Sequence, residues 1–97
     1  MTPAIKQSPV LAALRDELGA LDAELVELLA RRVDVARRIG AEKRAAGLAT
    51  LDTQREAQVV AVVARHARRV GLPEESVRDI FWPVVAMCRR AQQDEAP

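Results

Sequence analysis

The sequence contains very few aromatic residues and only one cysteine. Phe81 and Trp82 are the only aromatics among 97 residues, and tyrosine is absent. Strands favour aromatic side chains, so this scarcity disfavours a sheet protein. Cys88 alone excludes an intrachain disulfide and a zinc site built from several cysteines. We also find no metal-ligand spacing, no glycine-rich phosphate loop and no Ser/His/Asp or Cys/His constellation, so neither a metal nor another cofactor is predicted.

Long apolar runs and an excess of one charge are missing as well. The longest strictly apolar run, residues 59–64, is far shorter than a membrane span. Fifteen basic and fourteen acidic residues leave a formal charge of +1, which does not indicate a nucleic-acid-binding protein. The first residues contain no apolar signal core, so a cytoplasmic location is the default. We therefore expect neither a membrane nor a nucleic acid as partner.

What remains is a composition typical of helices. Apolar residues make up 49% of the chain and are mainly Leu, Val and Ala, accompanied by many Arg and Glu. A chain of this length forms one domain with a modest core. We expect an all-α fold of three helices, one long and two shorter, over residues 9–93. Residues 1–8 are interpreted as a flexible leader and residues 94–97 as a flexible tail.

The first helix is the longest. Ser8 is a suitable N-cap, Pro9 suits the first helical position, and no other proline interrupts before a stop at Gly47. Some 37 residues give roughly 55 Å of helix at 1.5 Å per residue. A compact domain of this size cannot cover such a length, so a second chain is expected to pack against it. Its apolar stripe has steps of three and four residues: Leu14, Leu18, Leu21, Leu25 and Leu28.

Two shorter helices complete the prediction. The second begins near Asp52 or Thr53, where Thr53 and Glu56 have the spacing of a capping box, and Gly71 ends it. Pro73 opens the third helix. The buried face of the second helix is predicted from its valine stripe, and that of the third from a mixed apolar stripe. These stripes are Val59, Val63, His66 and Val70, then Val77, Phe81, Val84 and Cys88.

Two cations continue the leucine stripe of the first helix. The next position on the stripe is Arg32, and the stripe then passes Ala36 and Ile39 to Lys43. Arg32 and Lys43 are about 1100° of rotation apart, so they share a face about 16 Å apart along the axis. Cations in line with a core stripe are costly unless an anion meets them. The arrangement suits a small anion with more than one negative group.

Arg15 is a third candidate, although it lies roughly 25 Å before Arg32 on the same helix. In an antiparallel pair of long helices, Arg15 of one chain could complete the site of the other.

Each candidate also has an ordinary structural interpretation. Arg32 could be a solvated surface arginine, Glu56 a capping residue, and Cys88 a small core residue. Gln92, one turn beyond Cys88, could be a surface amide.

The ordered set of residues resembles the all-helical class of chorismate mutases from about residue 11 to residue 93. The matching pieces are Leu14-Arg15, Leu21-Asp22, Leu28-Leu29-Ala30-Arg31-Arg32, Ile39-Gly40, Lys43, Asp52-Thr53-Gln54-Arg55-Glu56, Ile80-Phe81 and Gln92. The resemblance implies an intertwined homodimer of three-helix chains. It also implies two equivalent sites for a chorismate-like dicarboxylate, with rearrangement of chorismate to prephenate.

The same resemblance implies a role for each matching residue. Arg15 would come from the other chain, and Arg32 would bind a substrate carboxylate. Lys43 would contact a carboxylate and the ether oxygen, and Gln92 would hydrogen-bond that oxygen. Four further positions would complete substrate binding: Asp52 through its backbone, Glu56 at the ring hydroxyl, Arg55 near a carboxylate, and Cys88 in place of a common serine. Lys43, Gln92, Arg32 and Glu56 would be the catalytic set.

Three alternatives stay open. A 4-amino-4-deoxychorismate mutase fits because Glu56 could pair with an ammonium. An isochorismate-pyruvate lyase shares the fold, although Asp52, Arg55 and Glu56 favour the mutase. A weakly active mutase-like module that regulates a partner synthase, or is activated by it, is the third. The departures from the family pattern are Cys88, Ala49 where proline is common, and Trp82-Pro83 near the end of the expected pocket.

Overall fold

A computed structural model describes residues 8–93 and contains three helices. They are α1 (Pro9–Ala45), α2 (Thr53–Arg69) and α3 (Glu74–Gln93). No strand occurs among residues 8–93, so the prediction of an all-α chain with one long and two shorter helices is confirmed. None of these three helices has an apolar stretch long enough to cross a membrane. The predicted leader, apart from Ser8, and the predicted tail lie outside the described residues.

The ends of α1 follow the expected capping chemistry. The Ser8 hydroxyl accepts a hydrogen bond from the Leu11 amide at 2.8 Å, which satisfies a free N–H group of the first turn. At the other end Gly47 has φ of +73°, and the Leu48 amide donates to the Lys43 carbonyl at 2.8 Å. Glycine adopts this left-handed conformation without a steric penalty, so the chain leaves the helix here.

The start of α2 lies where it was predicted, but its capping interaction differs from the prediction. Asp52 is the N-cap, and its carboxylate accepts from the Arg55 amide at 2.9 Å. The predicted capping box of Thr53 and Glu56 is therefore wrong, because Asp52 occupies the capping position and the Glu56 carboxylate bonds elsewhere. The far end of α2 agrees with the prediction, since Gly71 has φ of +82° and follows the last turn.

The chain divides into two compact units, the first extending to Arg31 and the second beginning at Arg32. In the first unit, no residue from 8 to 28 is buried. A single helix cannot bury its own apolar stripe. The five predicted stripe leucines are accordingly between 48% and 59% exposed. They are Leu14, Leu18, Leu21, Leu25 and Leu28.

The second unit contains residues 32–45 of α1 together with α2 and α3. The beginning of α2 contacts the end of α3, and Arg68 near the end of α2 pairs with Glu74 at the start of α3, so the two helices are antiparallel. Small side chains dominate the buried positions, which allows the helix backbones to approach closely. These positions are Ala36 and Gly40 on α1, Val60, Ala64 and Ala67 on α2, and Val85, Cys88 and Ala91 on α3.

The buried face of α2 is displaced by one residue from the predicted valine stripe. Val60, Ala64 and Ala67 are buried, whereas His66 and Val70 are exposed. A shift of one position rotates the face by about 100°. The prediction followed the larger valines, but the close packing selected the alanines. On α3 the prediction is correct for Cys88, while the preceding stripe positions are only half-buried.

Pro83 lies inside α3, where its missing N–H removes one helical hydrogen bond. A proline inside a helix favours a kink or a loosened turn. The helix nevertheless continues as far as Gln93. The proline therefore does not end the helix, and the last turns of α3 remain available to carry Cys88 and Gln92.

Candidate active site

The second unit contains a cavity of about 380 Å³. Its apolar wall includes Ala36 and Ile39, the two residues predicted to lie between Arg32 and Lys43. Its polar lining comes from all three helices and from the residue that caps α2. The polar side chains are Arg32, Lys43, Asp52, Arg55, Glu56, Cys88, Arg89 and Gln92.

Seven of the eight predicted site residues line this cavity: Arg32, Lys43, Asp52, Arg55, Glu56, Cys88 and Gln92. The structure brings them together from positions as far apart in sequence as Arg32 and Gln92. The eighth, Arg15, lies in the first unit and is exposed. The cavity lining does not include it. Its expected role in the site of a second chain stays a prediction.

Lys43 is held at one point of the cavity by two acceptors. Its ammonium Nζ donates to the Gln92 side-chain oxygen Oε1 at 3.1 Å and to the Thr50 carbonyl at 3.1 Å. Thr50 belongs to the segment between α1 and α2, so this bond ties the connection to the long helix. Because the Gln92 oxygen accepts from Lys43, the amide nitrogen of Gln92 is left as a donor. The lysine cation and the glutamine amide are thus adjacent.

Cys88 contacts the first predicted cation directly. Its sulfur Sγ accepts a hydrogen bond from Nη1 of Arg32 at 2.9 Å. Cys88 is only 4% exposed and packs with Ala36 and Ala91, so its position is set by the core. The buried thiol therefore orients the guanidinium of Arg32 from the core side. Cys88 is both a core residue, as its ordinary interpretation predicted, and part of the cavity wall.

Glu56 forms a two-pronged ion pair with Arg89. Nε of Arg89 donates to Oε2 of Glu56 at 2.9 Å, and Nη2 donates to Oε1 at 2.9 Å. Bidentate pairs of this kind restrict both side chains to one geometry. The Glu56 side chain is 17% exposed and the Arg89 side chain is 32% exposed, so both are partly shielded from water. The interpretation of Glu56 as a capping residue is therefore excluded.

The ion pair also affects the charge state of the arginine. The hydrogen bond from Arg89 to the Glu56 carboxylate raises the pKa of the guanidinium above its already high ordinary value. Desolvation acts in the opposite direction, and attraction to the Glu56 charge adds to the increase. Any stability that this shift contributes is present at neutral pH and would be lost only as the pH rises through the raised pKa. Arg89 is consequently a permanent cation in the cavity.

Sequence reasoning missed Arg89. Its partner Glu56 is 33 residues away on another helix, so no helical spacing connects the two. One signal was nevertheless present. Arg89 precedes Gln92 by three residues, which places both on the same side of a helix. A search for polar side chains within one turn of Gln92 would have found it.

The charges of the lining favour an anion. Four basic side chains, Arg32, Lys43, Arg55 and Arg89, face two acidic ones, Asp52 and Glu56. This is a formal excess of two positive charges. Asp52 accepts from the Arg55 amide and Glu56 accepts from Arg89, so both carboxylates already have partners. A small molecule with two carboxylates would balance the remaining charge.

Other charged residues do not line the cavity. Arg38 pairs with Asp34 at 3.2 Å on the exposed side of α1. Arg44 donates to the backbone carbonyl of Gln92. His66 is exposed and contacts Arg69 through Nδ1, at 2.7 Å from Nη2. It does not line the cavity.

Comparison with known families agrees with this geometry. The family model for chorismate mutase type II matches residues 14–93, which is most of the chain and includes every cavity residue. The chain belongs to the chorismate mutase type II family. The resemblance inferred from the sequence is thereby confirmed.

Relatives of this chorismate mutase family member include proteins of different length. It is 29% identical over 85 residues to the T-protein of Enterobacter agglomerans, covering 88% of this chain and 23% of that protein. It is 40% identical over 82 residues to the 3-dehydroquinate dehydratase of Pyrobaculum aerophilum, covering 84% and 24%. The chain thus spans about a quarter of the length of these two relatives.

A third relative is closer to this chain in length. The 4-amino-4-deoxychorismate mutase of Streptomyces pristinaespiralis is 33% identical over 92 residues, covering 95% of this chain and 70% of that protein.

The departures from the chorismate mutase pattern lie at different places in the structure. Cys88 lines the cavity and bonds Arg32, whereas Ala49, Trp82 and Pro83 are exposed and do not line it.

Proposed function

We propose that the protein rearranges chorismate to prephenate. The reaction breaks the carbon–oxygen bond of the enolpyruvyl ether and forms a carbon–carbon bond within the same molecule. It needs no nucleophile, metal or obligatory proton transfer. A protein accelerates such a step by holding the reacting ends together and by stabilising charge that develops in the transition state. A cavity rich in cations, without a nucleophile activated by a base, is suited to both tasks.

The observation that carries the proposal is the pairing of Lys43 with Gln92. Negative charge grows on the ether oxygen as its bond to the ring carbon breaks. The Lys43 ammonium and the Gln92 amide, in contact at 3.1 Å, supply a cation and an N–H donor at one point of the cavity. Both are already oriented before substrate arrives, so little reorganisation is needed during reaction.

The other cations serve substrate binding. Arg32 is oriented by the Cys88 sulfur at 2.9 Å and is suited to bind one carboxylate. Arg55 lines the cavity beside the α2 cap and is a candidate for carboxylate contact as well. Two carboxylates held at separate points would favour the compact chair in which the enolpyruvyl group lies over the ring.

We also propose that the active form is a homodimer in which each chain donates Arg15 to the site of its partner. The support is the uncovered leucine stripe of the first unit, where no residue from 8 to 28 is buried. Exposed apolar stripes of this length mark interaction surfaces. A second copy of the same helix offers a matching stripe, and a two-fold arrangement buries both stripes at once.

Mixing inactive variants tests the shared site. Arg15→Ala and Lys43→Ala chains are each expected to be inactive alone, since each lacks one member of every site. After subunit exchange, a mixed dimer has one site that lacks both groups and one that lacks neither. About one working site in two is therefore expected in mixed dimers. No recovery of activity despite demonstrated exchange would exclude Arg15 acting across the dimer.

A second candidate function is rearrangement of 4-amino-4-deoxychorismate. The similarity to the Streptomyces pristinaespiralis mutase of that name supports it. A role in which the chain is activated by a partner synthase, or regulates one, is also compatible with relatives in which the matching region forms about a quarter of a longer protein. An isochorismate-pyruvate lyase is less well supported, because the Asp52, Arg55 and Glu56 motif favours the mutase.

One set of assays separates these functions. Purified protein is incubated with chorismate, isochorismate or 4-amino-4-deoxychorismate, while substrate loss is followed and products are identified. Conversion of chorismate to prephenate supports the proposal. Release of pyruvate from isochorismate would assign the lyase instead. Absence of turnover with all three substrates, alone and with a partner synthase, would overturn the enzymatic function.

A further inference from the structure

The two acidic residues in the cavity lining have different kinds of partner. Oδ1 of Asp52 accepts from the Arg55 amide at 2.9 Å, in the cap of α2. Both oxygens of Glu56 accept from Arg89, each at 2.9 Å. The cavity lining contains no other carboxylate. Asp52 keeps its charge because its partner is a neutral amide, whereas the charge of Glu56 is balanced by Arg89. A cationic group placed beside Glu56 would therefore find that carboxylate already paired.

We infer that Arg89 is a specificity-determining residue that excludes substrates with an ammonium group on the ring. This inference rests on the proposed function and deepens it by defining the substrate class. Chorismate has a neutral hydroxyl where the 4-amino analogue has an ammonium. The Glu56–Arg89 pair accommodates the hydroxyl and disfavours the ammonium.

The physical reason is the charge of the pair. A lone Glu56 carboxylate would attract an ammonium strongly in a partly desolvated cavity. The paired carboxylate is neutralised by Arg89, so most of that attraction is absent. An ammonium close to Glu56 would also be repelled by the guanidinium, because like charges in a shielded site are unfavourable. A hydroxyl has no net charge and needs only one of the lone pairs that a carboxylate retains beside a bidentate arginine.

The charge and position of Arg89 make the discrimination against an ammonium a permanent property of the cavity. Arginine is charged under physiological conditions, and the hydrogen bond to Glu56 raises the pKa of Arg89 further. The pair joins the first turn of α2 to the last turns of α3, so it is part of the helix packing and is present in the free protein. Discrimination therefore does not require a conformational change on binding.

A competition assay tests the inference. Wild-type protein receives an equimolar mixture of chorismate and 4-amino-4-deoxychorismate, and the ratio of their kcat/KM values is obtained from relative depletion. The same ratio is measured for Arg89→Gln, which removes the charge, and for Arg89→Lys, which keeps it. Arg90→Gln is the matched control, because Arg90 is the next residue on α3, is exposed and does not line the cavity.

Wild type is expected to prefer chorismate. Arg89→Gln is expected to shift the ratio roughly tenfold or more toward the amino substrate, as loss of a nearby like charge predicts. Arg89→Lys should retain most of the preference, and Arg90→Gln should leave it unchanged. A purely structural role of Arg89 would lower both activities together without changing their ratio.

Two results would overturn the inference and leave the mutase function intact. The first is wild-type protein that prefers the amino substrate, which needs no variant and so does not depend on the folding of Arg89→Gln. The second is a ratio that is the same in wild type and in folded Arg89→Gln. If KM is raised equally for both substrates, Arg89 is a general carboxylate ligand, and if kcat is lowered equally, its role is purely structural. Turnover of neither substrate by wild type would instead refute the proposed function.

Discussion

Gly40 of α1 and Gln92 of α3 meet backbone to backbone. A Cβ atom added to Gly40 would lie 2.3 Å from the carbonyl oxygen of Gln92 and 2.8 Å from its Cα. Any side chain at position 40 would therefore push the end of α3 away from α1. Because the Gln92 side chain bonds Lys43 across the same contact, Gly40 positions the pair that we assign to the ether oxygen. Gly40 lies within a regular helix, so its backbone conformation does not itself require glycine. Glycine is needed there because the two backbones approach closely.

Gly40→Ala is expected to impair stability and activity together. Overpacking of a tight contact costs about 1–3 kcal/mol in the free energy of unfolding, and movement of Gln92 should lower kcat. Gly19→Ala is the matched control, because a Cβ there meets nothing within 4 Å. Alanine at that helical position should be neutral or stabilising by about 0.5–1 kcal/mol. Urea unfolding and steady-state kinetics measure both effects. A Gly40→Ala protein as stable and active as wild type would show that the contact can relax freely.

Lys43→Ala is expected to lower kcat by roughly a hundredfold to a thousandfold with a smaller effect on substrate affinity. The lost interaction acts mainly on charge that develops in the transition state. Arg38→Ala removes one positive charge from the same helix, but Arg38 is exposed and pairs with Asp34, so its kinetics should match wild type. Steady-state kinetics and binding of an unreactive dicarboxylate separate the two effects. Nearly full turnover in Lys43→Ala would refute the assignment.

Replacement of Cys88 tests how Arg32 is oriented. Cys88→Ser retains an acceptor for the guanidinium, so KM should stay within about threefold of wild type. Cys88→Ala leaves Arg32 without this acceptor, and a lost hydrogen bond of about 0.5–1.5 kcal/mol corresponds to a KM increase of up to about tenfold. Kinetics of both variants, with helix content checked by circular dichroism, provide the comparison. Equal KM values for the two variants would mean that the sulfur does not position Arg32.

The leucine stripe of the first unit tests the proposed dimer. Leu21→Glu with Leu25→Glu introduces two charges into a surface that would be buried between chains, where unpaired charge is strongly unfavourable. Analytical ultracentrifugation should show a dimer for wild type and a monomer for the variant, which should also lose activity. Ala20→Glu with Ala23→Glu adds the same two charges at exposed positions off the leucine stripe, so it is the control for altered charge. A wild-type monomer with full activity would contradict both the dimer and the donated Arg15.

The sequence predicted features that depend on neighbouring residues. The Ser8 cap and the terminal glycines Gly47 and Gly71 appear where they were expected, because a helix end is decided within one turn. The common face of Arg32 and Lys43 was likewise predicted, since helical geometry alone determines it. Gln92 and Glu56 entered the prediction only through the family pattern, because no spacing relates them to the first helix.

The sequence by itself thus determined the three helices, their ends and which side chains share a face. Tertiary structure decided which side chains face each other across helices. It assigned Glu56 to Arg89 instead of to a capping box, and it buried the alanines of α2 instead of the neighbouring valines. The physical reason is range. Helix formation and capping depend on residues within about four positions, whereas ion pairs and close packing depend on how separate helices approach. The preference for a neutral ring substituent inferred for Arg89 arises from such a contact between separate helices.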